Sequence, residues 1–203
     1  MNTIRSICVY CGSSTGRGDI YVEAGQTLGR AIAQAGLRLV YGGGARGVMG
    51  AVADGARRAG GKVTGIIPQF LINREATGPA LSRLDELIVT DDMHQRKHAM
   101  FQKSDAFVAL PGGIGTVEEI IEIMTWAQLG HHRKPIVFGN IAGFWNPMLA
   151  LLDHMTAEGF IHTGHLVRPL VVDRADAIVA TILAAGAAVD APTEGDEAVI
   201  GRL

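Results

Sequence analysis

Short apolar runs alternate along this chain with longer stretches in which apolar side chains recur every three or four positions. The short runs, at residues 4–11, 37–41, 63–67, 86–90, 105–110, 135–138 and 170–172, have the length and apolar density of strands. Helical periodicity occupies residues 20–35, 48–59, 93–103, 116–129, 144–158 and 175–185, with Gly36 as a stop signal after the first. Residues 69–83 form a less regular stretch between the third and fourth strands. Strands separated by helices imply right-handed crossovers and a parallel sheet covered on both faces. The expected fold is therefore a Rossmann-like, doubly wound α/β sandwich, formed by a single domain over residues 1–185. Residues 186–203 turn small, polar and acidic, with Pro192 and Gly195, and read as a mobile tail. In such sheets ligands bind at the carboxyl ends of the strands.

Composition narrows the class. The chain has 203 residues, 48% of them hydrophobic and 19% charged, which suits a tightly packed enzyme-like domain and argues against disorder. A net charge of −2 gives no reason to expect a nucleic-acid or membrane-surface binder. No apolar stretch approaches the roughly 20 residues needed to cross a bilayer. Two cysteines and no recognisable secretory signal make a reducing, cytoplasmic setting the expectation.

The densest chemistry lies in DAFVALPGGIGTVEEIIE, residues 105–122. An apolar strand ends in Pro111-Gly112-Gly113-Ile114-Gly115-Thr116, and a helix with two adjacent carboxylates follows. Glycines let the backbone approach a ligand closely. The helix start aims free N–H groups and a positive dipole end at the same place, which suits a phosphate. Glu118 and Glu119 sit where electrostatics alone would disfavour negative charge. Glu119 has two readings: a catalytic carboxylate, or the closing member of a Thr116-x-x-Glu119 capping box.

A second glycine loop, Gly42-Gly43-Gly44-Ala45-Arg46-Gly47, satisfies G-x-G-x-x-G. The next strand ends Ile66-Ile67-Pro68 without the acid that a dinucleotide site places on the ribose, and the Gly-Lys-Ser/Thr of a Walker loop is missing. A nicotinamide enzyme is therefore disfavoured, and a phosphate or mononucleotide cradle through Gly43, Gly44 and Gly47 is preferred. Arg96 and Lys97 open a helix, where the dipole does not welcome cations, so an anionic ligand would offset the cost. His94 and His98 have zinc-like spacing but no third ligand and no H-E-x-x-H glutamate, so no metal is expected. Cys8 and Cys11 lie along a strand and face opposite sides, which fits two reduced thiols. His131 and His132 close a helix, where positive charge complements the dipole.

These segments together carry a family resemblance. YGGGARGVMG, MHQRK, PGGIGTVEE and MTWAQLG, in this order within residues 4–185, resemble the LONELY GUY (LOG) phosphoribohydrolases that act on cytokinin riboside 5′-monophosphates. The resemblance implies cleavage of the N-glycosidic bond of an N6-modified adenosine 5′-monophosphate, or of AMP, to free base and ribose 5-phosphate. It implies Arg96 and Glu119 as catalytic residues and Glu75, Lys97, Gly113, Ile114, Gly115, Thr116 and Thr125 as substrate contacts. It implies a homodimer with the site near the interface, and no cofactor. Such proteins are often labelled lysine decarboxylases, a reaction that calls for pyridoxal phosphate on a lysine. Of the four lysines (Lys62, Lys97, Lys103 and Lys134) only Lys97 lies near the motifs. A nucleotide-sensing module using the same cradle without chemistry is the competing class.

Overall fold

The computed structural model describes residues 3–75, 78–161 and 169–189. The chain runs β1 (Ser6–Tyr10), α1 (Ile20–Gln34), β2 (Arg38–Tyr41), α2 (Gly47–Arg58), β3 (Val63–Pro68), α3 (Gly78–Leu81), β4 (Glu86–Thr90), α4 (Met93–Gln102), β5 (Ala106–Ala109), α5 (Ile114–Gln128), β6 (Ile136–Gly139), α6 (Asn146–Ala157), β7 (Leu170–Val172) and α7 (Ile178–Val189). The seven strands form one sheet in the order β4-β3-β2-β1-β5-β6-β7. Every adjacent pair is parallel. After β4 the chain crosses back over the sheet to lay β5 against the free side of β1. The connections leaving β1 and β5 therefore diverge, opening the crevice in which doubly wound sheets bind ligands.

Strand alternation divides the core in two. Ile7, Val9, Leu39, Val108 and Val137 point to the face covered by α1, α2 and α7. Cys8, Tyr10, Val40, Phe107 and Phe138 point to the face covered by α4, α5 and α6. Both faces are apolar, as a sheet buried on two sides requires. Helices α1 and α2 cross very closely. A Cβ on Gly29 would stand 2.0 Å from the Val52 carbonyl oxygen, and one on Gly55 would stand 2.2 Å from the Gln26 carbonyl oxygen.

Element boundaries differ from the sequence reading in four places, each for a local reason. Helix α5 starts at Ile114, because Gly113 is extended (φ −93, ψ −160) and serves as its N-cap. Helix α6 starts at Asn146, because a 3₁₀ turn over Ile141–Gly143 intervenes, with Ala142 at φ 53. The irregular stretch holds a 3₁₀ turn at Gln69–Leu71 and the short α3. Helix α7 runs to Val189 through Ala-rich sequence that nothing interrupts at 185. The tail expected beyond it lies, from residue 190 onward, outside the described residues. No helix among the described residues is long and apolar enough to cross a membrane.

The α1–α2 contact yields a stability prediction. Gly29→Ala forces the two helices apart against well-packed backbone, so it is expected to cost ~1–3 kcal/mol. A lowered midpoint in thermal or urea denaturation, with the far-ultraviolet helix signal retained, checks it.

Candidate active site

The site forms where β1 and β5 part. Gly12 N–H donates to the Pro111 carbonyl at 3.1 Å, which draws the two strand ends together. Gly112 must lack a side chain there, since its Cβ would lie 2.1 Å from Thr116 Oγ1 and 2.8 Å from Gly12 N. Gly113 and Gly115 differ: a Cβ on either meets nothing within 4 Å, so what they leave clear is the open mouth of the crevice. The first hydrogen bond of α5 runs from Val117 N–H to the Gly113 carbonyl. The N–H groups of Ile114, Gly115 and Thr116 precede it and have no partner within the helix. Dipole and free donors together make a ready anion site.

Glu119 lies one turn further into α5. With Gly113 as N-cap, Thr116 is already inside the helix, and no side chain caps the helix start. The capping-box reading of Thr116 and Glu119 is thereby corrected; the glycine does the capping and leaves the carboxylate uncommitted. Part of the residue's surface is open, yet its carboxyl is enclosed enough that burial pushes the pKa up to about 7. The Arg96 guanidinium pulls it back, while Glu118 and Glu75 push it further. A carboxyl balanced at neutrality beside a phosphate-ready helix end is a candidate acid–base or charge-stabilising group.

Arg96, only 4% exposed, comes from α4. Asp92 caps that helix by accepting from Gln95 N–H at 2.8 Å. The Arg96 Nη2 donates to the Gly42 carbonyl at 3.2 Å, and its Nη1 lies 3.7 Å from Met93 Sδ. Its Nε is buried without a partner. No hydrogen bond or ion pair joins Arg96 to Glu119, so the two act on each other across a gap. Gly42 is required by this contact, since a Cβ would stand 2.0 Å from Arg96 Nη2.

Glu75 is brought to the same place. Its carbonyl accepts from Ala45 N–H at 2.9 Å, and its Oε2 is buried and unpaired. An orphaned acceptor and an orphaned donor thus flank Glu119, an arrangement that a polyhydroxylated ligand could satisfy.

Lys97, Thr125 and the second glycine loop, the remaining expected contacts, each make bonds within the chain. The Lys97 ammonium is held by Glu118 and, at 3.1 Å, by Glu122, two carboxylates to which the sequence reading gave no role toward lysine. Their signal was present as an i, i+4 pair on one helix face. Thr125 is exposed and donates to the Ile121 carbonyl at 2.8 Å. It stands nine residues beyond Thr116, ~13 Å along the helix axis, away from Glu119 of its own chain. In the second glycine loop, Gly43 and Gly44 are buried. The Val48 and Met49 N–H groups at the start of α2 already donate to the Ser14 and Gly12 carbonyls, at 3.3 and 3.0 Å. That loop forms a wall of the crevice and has fewer free donors than α5.

The other motifs resolve as structure. His94 and His98 are exposed, and no metal-capable cluster occurs among the described residues. Cys8 and Cys11 are free and buried on opposite faces, and burial pushes both thiols far above their ordinary range. His132 corrects the expectation of a positive cap. Burial lowers its pKa. The neutral ring bonds through Nε2 to the Ile123 carbonyl at 2.9 Å and through Nδ1 to Lys134 N–H at 3.1 Å.

The site and fold define a Rossmann-like α/β protein built to hold an anion beside a neutral-range carboxylate. Comparison with known proteins sharpens this. A family described as "Possible lysine decarboxylase" matches residues 49–182. The chain is 45% identical over 173 residues to the probable cytokinin riboside 5′-monophosphate phosphoribohydrolase LOGL9 of Oryza sativa, covering 85% of this chain and 74% of that one. It is 46% identical over 157 residues to the cytokinin riboside 5′-monophosphate phosphoribohydrolase LOG7 of Arabidopsis thaliana, covering 77% and 71%. Among solved structures, a molybdenum cofactor carrier protein from Chlamydomonas reinhardtii superposes with a TM-score of 0.67 at 22% identity, over 91% of this chain and 99% of that one; this shows a shared fold. The chain belongs to the LOG family of phosphoribohydrolases.

The decarboxylase description does not fit the residues. A Schiff base requires an uncharged, accessible amine. Burial disfavours the charged form of Lys97, but the hydrogen bonds it donates to Glu118 and Glu122 outweigh it and raise its pKa.

Glu119 also makes stability pH-dependent. Its pKa is higher folded than unfolded, so its protonated form favours the native state. That contribution is complete below the ordinary carboxylate range and disappears as pH rises through about 7. Relative to wild type, Glu119→Gln should therefore gain stability on going from acid to alkaline pH, as read by urea denaturation at several pH values. A pH-independent difference would place the carboxyl in a solvated setting.

Proposed function

We propose that this protein hydrolyses the N-glycosidic bond of adenosine 5′-monophosphates, including N6-modified cytokinin nucleotides, releasing the base and ribose 5-phosphate. The observation that carries the proposal is the pairing of an uncommitted carboxylate, Glu119, with the free N–H groups at the start of the same helix. A phosphate seated on Gly113, Ile114, Gly115 and Thr116 is fixed in position, and the attached ribose is held within reach of Glu119. Cleavage builds positive charge on the sugar. The ionised carboxylate stabilises that charge and accepts a proton from the attacking water. Arg96, anchored on Gly42, keeps Glu119 ionisable and presents its unpaired Nε to the ligand. Glu75 offers its buried Oε2 to a donor of the substrate, such as a ribose hydroxyl. Gly43, Gly44 and Gly47 wall the crevice.

Thr125 completes a site only if supplied by another chain, since it points away from its own Glu119. This supports a homodimer in which α5 of one protomer reaches the crevice of its partner. The exposed Leu129 at the end of α5, with 64% of its surface accessible, lies on the same side of that helix end and would be covered there. A cytoplasmic setting accords with the free cysteines and the small-molecule substrate.

Incubation with AMP followed by chromatography for adenine tests the reading. Glu119→Gln should reduce turnover by about 10²-fold or more while AMP still binds. Arg96→Ala should also suppress base release, and adenosine lacking the phosphate should be a poor substrate. Binding of AMP without any adenine would favour the sensing module instead. The pH dependence carries a sign. Glu119 works ionised, so kcat/KM for AMP should rise with pH through about 7. The substrate's own second phosphate ionisation, at about 6, contributes to the lower part of that limb.

A further inference from the structure

We propose that Lys97 is a positioning residue: its ammonium clamps Glu118 and Glu122 onto α4 and neutralises the carboxylates flanking Glu119, rather than gripping the substrate phosphate. The inference rests on the phosphoribohydrolase reading of the site and assigns a task within it.

The geometry comes first. Lys97 and Arg96 are consecutive on α4, so their side chains leave the helix about 100° apart. Arg96 turns toward the loop after β2 and Lys97 toward α5. The Lys97 side chain is only 10% exposed, and two of its three ammonium donors are taken by Glu118 and Glu122. Those acceptors sit at i and i+4 on α5 and bracket Glu119 in sequence. The clamp therefore fixes how α5, which carries both the phosphate-ready N–H groups and the carboxylate, lies against α4.

Charge gives the same answer. The groups facing Glu119 are Arg96 and Lys97 on α4, Glu75 after β3, Glu118 on its own helix, Cys8 and Tyr10 on β1 and Cys11 just after it, and Glu122 is drawn in through Lys97. Four carboxylates thus face two cations, and the substrate brings a phosphate as well. Without Lys97, Glu118 and Glu122 would stand uncompensated beside the reacting sugar. A like charge nearby disfavours ionisation of Glu119.

The decisive experiment follows Glu119 itself. Protein carrying ¹³C-labelled glutamate is titrated by NMR without substrate, and kcat and KM for AMP are measured across the neutral range. Lys97→Met is expected to move the Glu119 midpoint upward by about one pH unit, carrying the kcat/KM limb with it. Lys97→Met combined with Glu118→Gln and Glu122→Gln removes one positive and two negative charges, so it should bring the midpoint back to the wild-type value or below it, and Lys97→Arg should keep the wild-type midpoint. An unmoved midpoint in Lys97→Met, with KM for AMP raised at every pH and the preference for AMP over adenosine lost, overturns the proposal in favour of a phosphate ligand. So does a triple variant whose midpoint stays above the wild-type value. Should Lys97→Met fail to fold, the triple variant decides by substrate choice: a retained preference for AMP over adenosine supports the proposal, and loss of that preference overturns it. A wild type that releases no adenine sinks the hydrolase reading separately, because the NMR titration needs no turnover.

Discussion

The hydrogen bond from Arg96 to the Gly42 carbonyl is the contact on which the rest of the site depends. It joins α4, which precedes β5, to the loop that follows β2. Helix α4 packs on β3 and β4, so the guanidinium ties that helix to the strand end beside the crevice. The contact explains two features together. Gly42 has no room for a side chain, and the arginine is buried with one nitrogen unpaired. Burying a cation this deeply costs free energy unless it is paired. Met93 and a carbonyl satisfy only part of it, which leaves an attraction directed at Glu119 and at any anionic or hydroxylated ligand between them.

That residual field explains why Glu119 can be both enclosed and useful. Enclosure alone would keep a carboxyl protonated through neutrality, and close ion pairing would keep it ionised but inert. The structure lies between these limits: burial raises the pKa, Arg96 opposes the rise from across a gap, and Lys97 occupies the neighbouring acids. The helix dipole at the α5 start acts on the phosphate and leaves Glu119, further along, less affected. Anion binding and a titratable carboxylate can therefore share one helix without cancelling each other.

Much of this was legible in the chain. The short apolar runs pointed to all seven strands, because the five inner ones are buried on both faces and the half-exposed edge strands β4 and β7 are still mostly apolar. The PGG loop could be read because glycine has only a few structural uses, and here close approach and ligand access are both realised. The start of α5 was harder. Thr116-x-x-Glu119 has the spacing of a capping box, and only the extended backbone of Gly113 shows that the helix begins earlier. His132 misled for a related reason: sequence shows a basic residue after a helix, whereas Phe101 and Phe107 pack against its ring and keep it neutral. The Lys97 clamp was out of reach because it joins elements about twenty residues apart, and a loop of unknown path lies between them.

The two glycine loops show why motif counting needs an account of donors. Both follow a parallel strand and precede a helix, and both offer glycines where a phosphate could approach. At α2 the Val48 and Met49 N–H groups are bonded to carbonyls of the segment after β1, and Gly44 N–H faces Met49 Sδ at 3.2 Å. At α5 the equivalent groups, on Gly115 and Thr116, are not bonded to a carbonyl of another segment and lie beside two glycines whose missing side chains obstruct nothing. An anion gains most where donors are already paid for by the fold yet still unpaired. The α5 end meets that condition, and it is also the end that carries Glu119. Free donors and carboxylate thus belong to one rigid helix, so the distance between them is set by helix geometry and does not depend on loop closure.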